Sequence, residues 1–421
     1  MSIKIPLRRI VGLVTLLLAL NLAVLAQTKV ITDLKPTVML ISLDGFRYDY
    51  LNLYRPRNLN ALAADGVRAR WMIPSFPSKT FPNHYTIATG LYPEHHGIVE
   101  NNIYDPTFKA VFTLSDRNEV RNGRWWLGEP VWVTAEKQRQ RAAAFFYPGT
   151  EAEIAGARPS FWKPYDETTS NDVRVDTALS WLDLPREQRP TFFALYFSDT
   201  DDSGHAFGPV STETKQAALK VDADIGRLIE GLRARGIFKQ VNLIIVSDHG
   251  MAPVDWHHAI LLDTLFDPNL AERIFWTREI VSIFPKPGKE TEIYQSLKRK
   301  LPPQARVYRK TELPARFHYS QSPRIAPLLV LPREGWILTN RKNFAEMEAK
   351  GESRSKGGHG YDNRLPSMRA IFIAHGEAFK RGRVIAPFQN IQVYNIMTRV
   401  LGLRSAPNDG NYRVAKAVMS R

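Results

Sequence analysis

Four short apolar runs punctuate the chain, and polar turn formers close each one. Residues 37–43 (TVMLISL) run into Asp44-Gly45, and residues 191–197 (TFFALYF) stop just before Asp201. Residues 241–246 (VNLIIV) give way to Ser247-Asp248-His249-Gly250, and residues 369–374 (RAIFIA) form the fourth. Each is rich in β-branched or aromatic side chains, the pattern of a fully buried strand. Helical patterns lie between them. Residues 58–64 end at Asp65-Gly66; residues 212–235 place Ala217, Leu219, Val221, Ile225, Leu228 and Leu232 at mostly helical intervals and stop at Gly236. Strands alternating with helices predict an α/β fold with a mainly parallel central sheet flanked by helices. Asp44, Asp201 and Asp248 then fall just past the carboxyl ends of predicted strands, the edge at which open parallel sheets bind ligands.

Two stretches interrupt the alternation. Residues 102–132 read as an excursion over the active face. Proline-rich and mixed-charge segments between His249 and His359 predict a smaller α+β subdomain inserted at about 252–355. At the N-terminus, Lys4, Arg8 and Arg9 precede a nearly all-apolar stretch, residues 10–25, and Val24-Leu25-Ala26 offers a small-residue cleavage site. The apolar stretch is shorter than the roughly 20 residues a spanning helix needs. The expectation is a signal peptide over 1–26, export across an inner membrane to a periplasm, no membrane span once the signal is removed, and a catalytic domain over 27–421.

Composition narrows the chemistry. Cysteine is absent, which restricts metal ligands to His, Asp, Glu and hydroxyl groups. The formal net charge is +15, and the basic residues are scattered. That favours anionic small molecules through a general field. Zinc-finger spacing, aromatic ribonucleoprotein motifs and basic helices are missing, which argues against specific nucleic-acid binding.

The candidate ligands are Asp44, Asp201, His205, Asp248, His249 and His359. Imidazole and carboxylate together suit zinc. Asp201 and His205 are four apart, so one loop or turn can direct both at one ion. Asp248 and His249 are adjacent at a strand end, and His359 sits between glycines that let the backbone approach closely. Thr80 opens a helical segment with Pro82 in its first turn, at the positive end where an alkoxide or phosphate is favoured. A threonine hydroxyl is almost wholly protonated at neutral pH and becomes a useful nucleophile beside a cation. Taken singly, Asp-His-Gly reads as a surface turn and Thr80 as a helix N-cap. Together they point to displacement at phosphorus or sulfur.

These residues stand in strings that resemble the nucleotide pyrophosphatase/phosphodiesterase family of the alkaline phosphatase superfamily, in a bacterial form with a single catalytic domain. The strings are Asp44-Gly45-Phe46-Arg47, the segment 77–84 (PSKTFPNH), the segment 91–101 (LYPEHHGIVEN), the segment 201–209 (DDSGHAFGP), Ser247-Asp248-His249-Gly250-Met251, and Gly358-His359-Gly360-Tyr361-Asp362-Asn363. The chain departs from the family in the approach to Asp201, where it has Ser198-Asp199-Thr200. The resemblance implies an alkaline-phosphatase-like fold and two Zn2+ ions, the first held by Asp44, Thr80, Asp248 and His249 and the second by Asp201, His205 and His359. It implies that Asn101 stabilises charge on a phosphate oxygen, and that Phe81, Tyr165 and Tyr196 contact the substrate as aromatic flanks. The implied activity is hydrolysis of nucleotide phosphodiester or pyrophosphate bonds to nucleoside 5'-monophosphates, in two steps through a covalent nucleotidyl-threonine. Alternatives are a phosphomonoesterase, a phosphodiesterase for choline-type lipid headgroups, and a non-catalytic metal- or nucleotide-binding protein.

Overall fold

In the computed structural model, residues 30–351 and 355–420 are described; the expected signal segment, 1–26, lies outside them. Eight strands form the central sheet: β1 (Thr37–Leu43), β2 (Val67–Ala69), β3 (Ala142–Phe145), β4 (Phe161–Lys163), β5 (Phe192–Phe197), β6 (Val241–Val246), β7 (Phe372–His375) and β8 (Arg383–Ile385), in spatial order β8-β2-β7-β6-β1-β5-β3-β4. Neighbouring strands from β6 through β4 pair parallel, and only β7 runs against its neighbours. The sheet is therefore mainly parallel, as its unbroken apolar runs require when both faces are covered.

Alternation along each strand feeds two cores. Met39, Ile41 and Leu43 of β1 pack to one side with α1 (Arg57–Asp65), α3 (Asn171–Leu182) and α5 (Thr212–Ala234). Val38 and Leu40 pack to the other side with Tyr85, Ile87 and Ala88 of α2 (Thr80–Thr89). Burying each large side chain contributes about 1.5–3 kcal/mol, so this two-sided core fixes the height at which the strand ends emerge.

Strands expected at 37–43 and 241–246 stand at those residues, and the run at 191–197 begins one residue late, at Phe192. The fourth run is displaced. The strand is Phe372–His375, because Ala370 forms bridges to Arg47 and Met72 outside the central sheet. The helices expected at 58–64 and 212–235 occupy Arg57–Asp65 and Thr212–Ala234.

The region between His249 and His359 contains an antiparallel sheet of four strands, Ala271–Trp276, Val281–Pro285, Leu328–Pro332 and Ala305–Arg309, in that spatial order. Helix Glu290–Lys300 packs Ile293 and Leu297 into a separate core with Val281, Ile283, Leu328 and Val330. Gly357-Gly358 then pairs antiparallel with Ala252-Pro253 and returns the chain to the sheet edge. A Cβ at Gly357 would lie 2.3 Å from the Gly204 carbonyl, so only glycine allows this return so close to the helix that carries His205. Among the described residues no helix is long and apolar enough to cross a membrane.

Candidate active site

β6, β1 and β5 are neighbours, and their carboxyl ends deliver the acidic residues to one place. Asp44 follows β1 directly, and Asp248-His249 follows β6 after Ser247. Asp201 and His205 were expected on one loop or turn. They lie instead on helix α4 (Asp199–Phe207), where a spacing of four is one helical turn and puts both on one face. Gly45, at φ +64°, bends the chain away while Asp201 presses close: a Cβ there would sit 2.9 Å from the Asp201 Cα. His359 arrives from the return segment, its ring stacked on His249 with centroids 3.6 Å apart.

The distances divide into two adjoining groups. His249 Nε2 is 2.9 Å from Asp248 Oδ2 and 3.4 Å from Asp44 Oδ1, with Thr80 Oγ1 3.4 Å away. His205 Nε2 lies 3.5 Å from Asp201 Oδ2, and His359 Nε2 lies 3.6 Å from Asp201 Oδ1 and 3.1 Å from His205 Nε2. His84 also touches Asp248 Oδ2, at 3.3 Å. Its ring is otherwise engaged, with Nδ1 on the Thr80 carbonyl and Nε2 on Ser42 Oγ, both at 2.8 Å. It packs beside Asp248 and Asp44 in the cluster, with both ring nitrogens held by other groups. Sequence reading missed His84, although it lies four residues after Thr80 on the same helix.

The donor set fits divalent cations. Each of the three facing histidines donates Nδ1–H to a backbone carbonyl: His205 to Gly357 at 2.9 Å, His249 to Gly250 at 2.8 Å and His359 to Ser78 at 2.8 Å. A carbonyl only accepts, so Nδ1 carries a proton and Nε2 is the nitrogen turned toward the cradle. This is the usual outer support of a metal-ligating imidazole. Asp44 Oδ1, Asp201 Oδ1 and Asp248 Oδ2 are buried without a hydrogen-bond partner. Converging Nε2 atoms and orphaned carboxylate oxygens call for positive charge.

Burial lowers the His249 imidazole, but Asp248 outweighs it and holds it above its ordinary value, so a cation binding there would displace a proton. Burial, then repulsion from Asp248 and Asp201, pushes the Asp44 carboxyl well above the usual carboxylate range. Burial acts the same way on Asp248, but His249 and His84 outweigh it and hold that carboxyl low. Burial, with His249 and Lys79 nearby, holds His359 well below its ordinary value, in the neutral form that offers a lone pair.

Thr80 is the first residue of α2 and follows the N-cap Lys79, so its hydroxyl stands at the positive end of the helix. Beside it opens a cavity of about 410 Å3, and Phe81, Asn101, Tyr165 and Tyr196 all line it. Asn101 Oδ1 accepts from the Phe81 N–H at 3.0 Å, which leaves its side-chain NH2 as the available donor. The Tyr196 hydroxyl also donates to Asp44 Oδ2 at 2.6 Å. Tyr165 packs edge-on against Phe146 and lies under the Arg117 guanidinium. Sequence reading did not place Leu114, Arg117, Phe146, Tyr147 or Glu151 on this wall. The expected excursion at 102–132 was the available signal for Leu114 and Arg117.

The chain matches the family described as Type I phosphodiesterase / nucleotide pyrophosphatase over residues 38–362. It is 43% identical over 396 residues to an uncharacterized pyrophosphatase/phosphodiesterase of Schizosaccharomyces pombe, which covers 90% of this chain and 79% of the relative. It is 40% identical over 385 residues to a venom phosphodiesterase of Crotalus durissus collilineatus, covering 89% of this chain but 45% of that relative. The chain thus spans about half the length of the latter. Among solved structures, murine ectonucleotide pyrophosphatase/phosphodiesterase 5 superposes with a TM-score of 0.85 at 32% identity, covering 91% of this chain and 100% of that one. A second murine structure, an inactive threonine-to-alanine variant in complex with AMP, gives 0.84 at 31% identity, covering 91% and 99%. Sequence, fold and the convergent histidines and carboxylates agree that this chain belongs to the nucleotide pyrophosphatase/phosphodiesterase family of the alkaline phosphatase superfamily.

Proposed function

We propose that the protein hydrolyses nucleotide phosphodiester and pyrophosphate bonds and releases nucleoside 5'-monophosphates, with Thr80 as nucleophile and zinc as cofactor. The observation that carries this reading is the Thr80 hydroxyl 3.4 Å from His249 Nε2, beside the orphaned oxygens of Asp44, Asp201 and Asp248. Asp44, Thr80, Asp248 and His249 would hold one cation, and Asp201, His205 and His359 the other. Bound there, paired cations supply the charge that stabilises anionic oxygen at the entering and leaving positions.

The chain's own groups account for the remainder. Thr80 Oγ1 gives up its proton to solvent and forms a bond to phosphorus as the bond to the leaving oxygen breaks, giving a nucleotidyl-threonine. Water then forms the new P–O bond and the Thr80 Oγ1–P bond breaks, with one water proton returning to Oγ1 and the other released to solvent. The Asn101 NH2 donates to a phosphate oxygen whose charge persists through both steps. Phe81 and Tyr165 flank a base. The AMP bound by the murine relative, and the inactivity of its threonine variant, support this assignment.

Rival substrates fit less well. A monoester carries an additional negative charge and needs a free cation. Arg47 is engaged by Asp49 and the Met251 carbonyl, and Arg117 by Glu151. A choline headgroup needs an available anion, yet both Glu151 oxygens are engaged by Arg117 and Arg121. Export through residues 1–26 to a periplasm belongs to the same proposal, supported by the basic and apolar order of that segment.

The test combines metal analysis with turnover of a nitrophenyl nucleotide diester, nitrophenyl phosphate and a lysophospholipid. We expect bound zinc, preference for the diester, and a loss of at least about a thousandfold in Thr80→Ala. Equal turnover by that variant, or faster turnover of the monoester, would overturn the reading.

A further inference from the structure

Glu279 sits at the tip of the hairpin joining strands Ala271–Trp276 and Val281–Pro285 of the antiparallel sheet. Arg278 takes φ +66°, the Glu279 N–H donates to the Thr277 carbonyl at 2.8 Å, and Thr277 Oγ1 donates to the Ile280 carbonyl at 2.6 Å. This tight turn drives the Glu279 side chain inward, where it is fully buried. Lys79 Nζ donates to its Oε2 at 2.6 Å, and the Lys79 side chain is 7% exposed. Glu279 Oε1 has no hydrogen-bond partner, and the Arg278 Nε lies 3.7 Å from it.

Two buried apolar side chains could join these segments more cheaply than a buried ion pair. What the ion pair adds is a short bond of set length and direction. It ends on the residue directly before Thr80.

The same pair threads past both glycines that flank His359. A Cβ at Gly360 would lie 2.4 Å from the Lys79 Cε, and one at Gly358 would lie 2.5 Å from Glu279 Oε1. His359 Nδ1 in turn donates to the carbonyl of Ser78. Ser78 and Lys79 therefore hold the His359 loop and the hairpin, and Thr80 follows with no intervening residue. Glu100 is buried nearby, within electrostatic reach of Lys79 and Glu279, and accepts from the backbone N–H groups of Asn101 and Asn102.

We infer that Glu279 is a positioning residue: acting through Lys79, it sets the separation between the Thr80 hydroxyl and His359, so that the antiparallel sheet governs the rate of the threonine step. The inference rests on the reading of Thr80 as nucleophile.

Its test uses the full chain as Glu279→Gln, Glu279→Asp, Lys79→Met and the Lys79→Met/Glu279→Gln double variant. The readouts are kcat, KM, the rate of the covalent burst, bound metal and thermal midpoint. The double variant removes both buried charges, so it reports even where a single variant fails to fold. We expect kcat and the burst rate to fall by about tenfold to a hundredfold in the double variant, the scale of a small misplacement. KM and bound metal stay at wild-type values, the double is no slower than the slower single, and Glu279→Asp recovers part of the rate. A double variant as fast as an active wild type overturns the positioning role alone. Metal content falling in step with kcat also overturns it, because the pair would then be supporting the ion site. A wild type without turnover of the diester overturns the reading of Thr80, and this inference with it.

Discussion

The ion cradle and the cavity wall meet at Thr80, yet they are built in opposite ways. Asp44, Asp248 and His249 are almost completely buried at the ends of adjacent central strands, and a backbone carbonyl fixes each of the three facing imidazoles. The wall is assembled from loops and short helices around Leu114, Arg117, Phe146, Glu151 and Tyr165, and Tyr165 is 38% exposed. On the proposed function, chemistry rests on backbone that the core has already fixed, whereas recognition rests on surface segments that can be exchanged. Substitutions should therefore divide the same way. Cradle-side changes should act on kcat and wall-side changes on KM.

Asn101 tests the border between them. Asn101→Ala should lower kcat about 10²- to 10³-fold, as for other lost oxyanion donors, with little change in KM. Steady-state kinetics beside a thermal melt check this, and a change confined to KM would move Asn101 to the recognition side. Tyr165→Ala should act on the other side. Losing one stacking surface is worth about 1–3 kcal/mol, so KM for a nucleotide diester should rise about tenfold or more at nearly constant kcat. A matching fall in kcat would erase the proposed division. The smallest effect is expected from Tyr196→Phe, which removes the hydrogen bond to Asp44 and keeps the ring. A loss of about threefold to tenfold in kcat is expected, with KM unchanged, because the hydroxyl and not the ring is at work. A rise in KM would assign Tyr196 the role of aromatic flank.

The cradle was the more legible region for a physical reason. Strand β1 is covered on both faces, so its seven residues read as one apolar run, and the acidic residue after it marks the ligand-binding edge. The same pattern marked β6 and Asp248. It placed Asp201 correctly past β5 but on a loop or turn, because the short stretch Asp199–Phe207 is too polar to announce the helix it forms. His84 was hidden for a different reason: nothing local distinguishes a histidine packed beside Asp248 from one that faces solvent. Lys79 and Glu279 are 200 residues apart, and no periodicity connects them.

The sequence by itself determined the α/β alternation, the strand ends that carry Asp44, Asp201 and Asp248, the opening of a helix at Thr80, and the family. Burial patterns and turn formers are local, so they can be read from neighbours in the chain. Tertiary structure alone decided which ring nitrogens face inward, that Tyr196 donates to Asp44, that Arg117 and Glu151 line the cavity, and that Glu279 reaches the residue before Thr80. Those contacts join distant segments, and only the packing of the whole chain sets their distances.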